Sequence, residues 1–78
     1  MSACTLCSLN VGEKAVINAI NADDSVCKRM QAMGIRAGRE VCLVRSARLG
    51  GPIQIRVGSV SLIMRCGDAE QVSVTRAA

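Results

Sequence analysis

The chain has 78 residues, room for one domain with one core, and half of them are hydrophobic. Phe, Tyr and Trp are absent, so the core must be built from Val, Ile, Leu, Met, Ala and Cys, and the aromatic platforms on which single-stranded nucleic acid stacks are missing. Ten Lys or Arg against six Asp or Glu give a net charge of +4, a weakly basic surface, and the absence of His removes the commonest general base and metal ligand.

Residues 1–8 read as an arm, with 1–4 expected to be flexible. Met1-Ser2-Ala3-Cys4 lacks the basic and apolar regions of an export signal, and no stretch approaches the roughly 20 apolar residues that cross a bilayer. A cytoplasmic location is expected. Leu6, Leu9 and Val11 lead to a turn at Gly12, and Ala15 to Ile20 is rich in strand-forming residues. At Asp24 the period changes. Val26, Met30 and Met33 fall at i, i+4 and i+7, one face of a short helix over about residues 24–33. Asp23 or Asp24 can cap its start, and Gly34 suits the left-handed residue that ends it, after which Ile35 can fold back. The two methionines on this stripe are expected in the core rather than on a soft metal.

Beyond Gly38 the period returns to two. Val41-Cys42-Leu43-Val44 reads as a mostly buried strand, and Leu49-Gly50-Gly51-Pro52 as a turn. Ile53, Ile55 and Val57 alternate with Gln54 and Arg56, the clearest strand in the chain. Gly58-Ser59 turns it into Val60, Leu62 and Met64, which alternate with Ser61, Ile63 and Arg65. Cys66 to Ala69 is a second turn, and Val72 and Val74 mark the last strand. Short strands with turns every eight to twelve residues point to a mainly β sandwich or barrel. Its core is expected to include Ile53, Ile55, Leu62, Val72 and Val74.

There is no phosphate-binding glycine motif and no pair of nucleophile and base, so an enzyme is not expected. The five cysteines stand at 4, 7, 27, 42 and 66, an odd and dispersed set that reads as reduced thiols. Cys27, Cys42 and Cys66 lie in apolar patterns and are expected to be small core residues. Cys4-Thr5-Leu6-Cys7 has the spacing of half a thiolate metal site, which leaves a metal carrier working through Cys4 and Cys7 as one alternative; the bland reading is two exposed thiols. Arg36, Arg39, Arg45, Arg48, Arg56 and Arg65 could neutralise phosphates in a nucleic-acid-binding module, a second alternative, but a solvated exterior explains them more simply.

The order of these features resembles the FeoA family, the small ferrous iron transport protein A. Thr5 to Ile17 is similar to the family's Leu-x-x-Leu-x-x-Gly opening and first strand. Lys28-Arg29-Met30-Gln31-Ala32-Met33-Gly34-Ile35-Arg36-Ala37-Gly38 is similar to its helix ending, with Met for Leu at Met30 and Met33. Leu49-Gly50-Gly51-Pro52-Ile53 resembles its Leu-Gly-Asp-Pro turn, with Gly51 where Asp is usual, and Val60 to Arg65 resembles the next strand. The resemblance spans residues 5–75 and implies a single SH3-like domain, a five-stranded barrel with one inserted helix, with residues 76–78 as a tail. In it, Leu6 and Leu9 would be packing positions and Cys7 a variable one.

The resemblance further implies a non-catalytic adaptor that supports ferrous iron uptake by docking to FeoB, a membrane transporter with a cytosolic GTPase domain. The expected docking surface is Arg36 and Gly38 with the turn Leu49, Gly50, Gly51 and Pro52, because loops are where small barrels carry function. No bound cofactor, metal or nucleic acid is expected, the membrane is reached only through the partner, and a homo-oligomer is left open. A rival within the same fold is the SH3-like C-terminal domain of metal-dependent repressors, which would need a helix-turn-helix before it.

Overall fold

The computed structural model describes residues 3–47 and 50–76. Six strands, β1 (Ala3–Thr5), β2 (Lys14–Ile20), β3 (Glu40–Ser46), β4 (Ile53–Val57), β5 (Val60–Met64) and β6 (Val72–Arg76), form one sheet in the order β1-β6-β2-β3-β4-β5. Every neighbouring pair is antiparallel. The expected mainly β, SH3-like fold is present, with one strand more than the five expected and without closure. Both differences have one cause. β6 pairs with β2 on one side, and the short arm strand β1 takes its other side. No edge of β6 is left for β5. The domain expected over 5–75 thus takes in Ala3 and Cys4 at one end and Arg76 at the other.

The open sheet still wraps a core. Register shifts between Ile17 and Ala19 in β2 and between Leu43 and Arg45 in β3 bend it, as bulges do. The molecule measures 28 × 26 × 23 Å, nearly equal in all directions. Inside lie Leu6, Leu9, Ala15, Ile17, Met30, Ile35, Val41, Leu43, Ile53, Ile55, Val57, Met64, Ala69, Val72 and Val74, and no polar residue among those described is buried with them. Each fully buried Leu, Ile, Val or Met stabilises the fold by about 1.5–3 kcal/mol relative to exposure.

Four of the five named core positions are at most 2% exposed, whereas Leu62 is only half-buried. It sits on β5, the end of the sheet, where one flank has no neighbouring strand. Cys42 and Val44 are also half-buried rather than buried, because β3 alternates and presents Val41 and Leu43 to the core.

Helix α1 (Asp24–Ala32) forms as its caps dictate. The Asp23 carboxylate accepts the Val26 backbone N–H at 3.0 Å and the Ser25 hydroxyl at 2.9 Å. At the other end Gly34 has φ +98°, open to glycine but strained for other residues. Its N–H donates to Gln31 O, and the Ile35 N–H donates back to Met30 O, both at 3.0 Å. This double closure satisfies two terminal carbonyls and drops Ile35 beside Met30 in the core. Met33, expected on the buried stripe, is instead 36% exposed, because it falls at the C-cap, one residue past the helix.

The hydrogen bonds to Val26 and Ser25 hold the Asp23 carboxyl below the ordinary carboxylate range. A group more acidic in the folded than in the unfolded chain stabilises fully above its unfolded value and loses that contribution as pH falls through its folded one. Thermal melts on acidification should therefore show part of their loss at Asp23. In Asp23→Ala, melting is expected at lower temperature at neutral pH with a shallower acid limb; an unchanged limb would contradict the cap.

Candidate functional site

The cysteines correct the sequence reading most. Cys7 and Cys66 form a disulfide, with Cα atoms 5.8 Å apart across 59 residues of sequence. Cys7 was expected as an exposed reduced thiol and Cys66 as a core residue in a turn. Two short elements bring them together. Leu6–Ser8 is one turn of 3-10 helix whose Leu6 is fully buried, and Cys66–Ala69 is a one-turn helix, α2, whose Ala69 is fully buried. Both anchors sink into the same core, so their neighbours meet at its rim. Cys4 and Cys7 do not face one ion as a pair, since the Cys7 sulfur is bonded to Cys66. Cys4, Cys27 and Cys42 are free and half-buried. Cys27 was expected as an apolar core residue, but its sulfur lies 3.4 Å from Ala22 O and 3.5 Å from Ile20 O at the end of β2, within reach of either as a thiol donor.

The terminal strand is held at the same end of the molecule. The Arg76 Nη2 donates to Ser8 O at 3.0 Å, and its Nε lies 2.9 Å from Glu13 Oε2, an ion pair without hydrogen-bond alignment.

The expected docking residues fall in separate places. Arg36 Nε donates to Gln31 O at 3.3 Å and so helps close α1. Gly38 sits at φ +90° and its N–H donates to Ile17 O at 2.7 Å, which fixes the link into β3. Leu49 lies outside the described residues. Gly50 and Gly51 are described, and Gly50 has φ +74°. Pro52 lines a groove of about 270 Å³ with Arg45, Ser46, Ala47, Ile53, Gln54 and Ile63. Neither Arg36 nor Gly38 reaches that groove.

Ile63 is the residue the sequence reading missed. It is 74% exposed, the most exposed of the large apolar residues described. It lies opposite Gln54 on the outer face of β5, the end strand. Ile63 also lines a second groove of about 440 Å³, with Arg29, Met30, Met33, Met64, Arg65 and Asp68. Ile63 thus borders both grooves, one also lined by Met33 and the other by Pro52. Arg29, Arg65 and Arg45 give their rims a positive balance against the single Asp68. The signal was in the strand alternation, which puts an isoleucine at an outward position between Ser61 and Arg65. A face with an apolar centre and an Arg-rich border suits a protein partner of acidic character. No helix among those described is long and apolar enough to cross a membrane.

The family model described as the FeoA domain matches residues 4–76. A crystal structure described as an iron uptake regulatory protein (FeoA) shares 25% identity over 99% of this chain and 100% of its own, with a TM-score of 0.88. The FeoA protein of Chlorobium tepidum shares 30% identity over 95% of this chain and 70% of its own, with a TM-score of 0.87. The Stenotrophomonas maltophilia FeoA, in complex with zinc, shares 28% identity over 90% of this chain and 87% of its own, with a TM-score of 0.79. It is described as a prokaryotic SH3 domain protein and a candidate activating factor of bacterial ferrous iron transport. No curated protein sequence matches the chain.

Proposed function

This chain belongs to the FeoA family, and from that premise we propose that it supports ferrous iron uptake in the cytoplasm by docking to the cytosolic portion of a FeoB-like transporter. The family is one of accessory proteins, so the work is done by contact rather than by catalysis. The observation that carries the docking reading is Ile63, an exposed apolar residue on an end strand that borders two grooves. The end strand also offers backbone groups along its outer edge, to which an extended partner segment can pair. Pro52 contributes at one end of this face, with Gly50 and Gly51 preceding it. Gly51 stands where the family usually has Asp, so no carboxylate is available at that position.

Ile63→Asp places a charge where the partner would bury an apolar side chain. A central interface residue of this kind is worth 2 kcal/mol or more, so binding should weaken by about 30-fold or more. Ile63 has little core contact to lose, so the variant should melt as the native chain does. The cellular test is uptake of radiolabelled ferrous iron in a strain lacking the gene. Uptake should fall, be restored by the native gene, and stay low with Ile63→Asp. Normal uptake in the deletion strain would overturn the proposal.

A further inference from the structure

The Cys7–Cys66 pair has a third neighbour. The Glu70 carboxylate lies with the two sulfurs in a cluster whose ligand atoms are all within 4.8 Å of one another. No ion pair among the described residues engages that carboxylate. Two thiolates and one carboxylate are the donor set of a thiophilic divalent cation, and in the disulfide form the two sulfurs are spent on each other.

We propose that Cys7, Cys66 and Glu70 form a redox-gated site for a thiophilic divalent cation, closed as the disulfide and open as the dithiol. The frame that holds the site is independent of the S–S bond. Cys7 follows the fully buried Leu6, and the Ser8 carbonyl is held by Arg76. Cys66 begins α2, whose Ala69 is fully buried and whose Ala69 and Glu70 N–H groups donate to Arg65 and Cys66 carbonyls at 3.0 and 2.9 Å. That one turn sets Glu70 four residues after Cys66, on the same side. Breaking the bond therefore leaves the two Cα atoms close to their 5.8 Å separation. Two sulfurs at about 2.3 Å from a tetrahedral ion stand nearly 4 Å apart, a span that this Cα spacing accommodates by side-chain rotation. Three protein ligands leave one coordination position open, the arrangement of a site that exchanges its ion or a bound water rather than of a closed structural site.

The chemistry balances with a dithiol reductant. It supplies two electrons and two protons, the S–S bond breaks, Cys7 and Cys66 become thiols, and the reductant leaves as its own disulfide. The cation then binds as both thiols release their protons to solvent. In a reducing compartment the open form is the resident one, since disulfides there are kept reduced.

The test uses the full chain and cobalt(II) alone, whose thiolate charge-transfer absorption reports sulfur ligation. After reduction and removal of the reductant, one equivalent of cobalt should give that absorption, and the oxidised chain should give none. Glu70→Gln should weaken binding by at least about tenfold, and Cys4→Ser should leave it unchanged. Glu70 is exposed, so its variant folds whether or not Cys7→Ser does. No thiolate absorption in the reduced chain, its loss in Cys4→Ser, or an unchanged affinity in Glu70→Gln would each overturn the proposal. The readout involves no transporter, so its failure would leave the docking reading standing.

Discussion

Reduction of the Cys7–Cys66 disulfide, in the presence of a chelator, is expected to lower the unfolding free energy by about 4 kcal/mol. The figure follows from loop closure. A bridge across 59 residues removes from the unfolded chain the entropy of a loop of that length, and the chain-entropy relation gives about 4 kcal/mol at 25 °C. A domain of this size has a total stability of only about 5–10 kcal/mol, so the loss is a large share of the whole. Denaturant melts with and without a dithiol reductant measure it. Cys7→Ser should melt like the reduced native chain and be indifferent to reductant. Thiol labelling of the native oxidised chain should find Cys4, Cys27 and Cys42 and miss Cys7 and Cys66. Labelling of all five, or melts that reductant does not move, would mean that the bond does not form in solution.

Ile55→Ala is the second large effect, with an expected cost of about 2–5 kcal/mol. Ile55 is fully buried at the middle of β4, between Leu43 on β3 and Leu62 on β5. Three methylene or methyl groups leave a core that has no aromatic ring to slide into the gap. The cross-strand neighbours Leu43 and Leu62 are held in the paired strands β3 and β5, so the site relaxes only partly around the void. Denaturant melts in the oxidised state isolate this term from the disulfide. A loss below about half a kcal/mol would contradict the packing of β4, because such a value belongs to surface positions.

What could be read from the residues follows from how local each cause is. The alternation in Ile53-Gln54-Ile55-Arg56-Val57 is local, and β4 came out with its expected faces. The caps of α1 are local as well: Asp23 and Gly34 lie within three residues of the groups they satisfy. β1 was not legible, because Ala3-Cys4-Thr5 has no pattern of its own and is a strand only by pairing with β6 some seventy residues later. Open rather than closed sheet geometry rests on that same distant pairing. The Cys7–Cys66 bond was hidden for a similar reason, since nothing near either cysteine names the other. Met33 and Leu62 were misplaced by position rather than by type. Each is apolar and in phase, but Met33 sits past the helix and Leu62 on β5, the end strand of the sheet, where the core has run out. The turn 49–52 and the Arg36–Gly38 link drew attention through their unusual residues. In the structure Arg36 donates to Gln31 O and the Gly38 N–H donates to Ile17 O, while Ile63 stands exposed on β5.

Calorimetric titration of the purified chain into the cytosolic portion of a FeoB-like transporter is the measurement for the proposed docking through Ile63. Saturable binding to a single site is expected, weakened by about 30-fold or more in Ile63→Asp, with the variant melting at the native temperature. Absence of binding by the native chain, or equal binding by a folded Ile63→Asp, would contradict it.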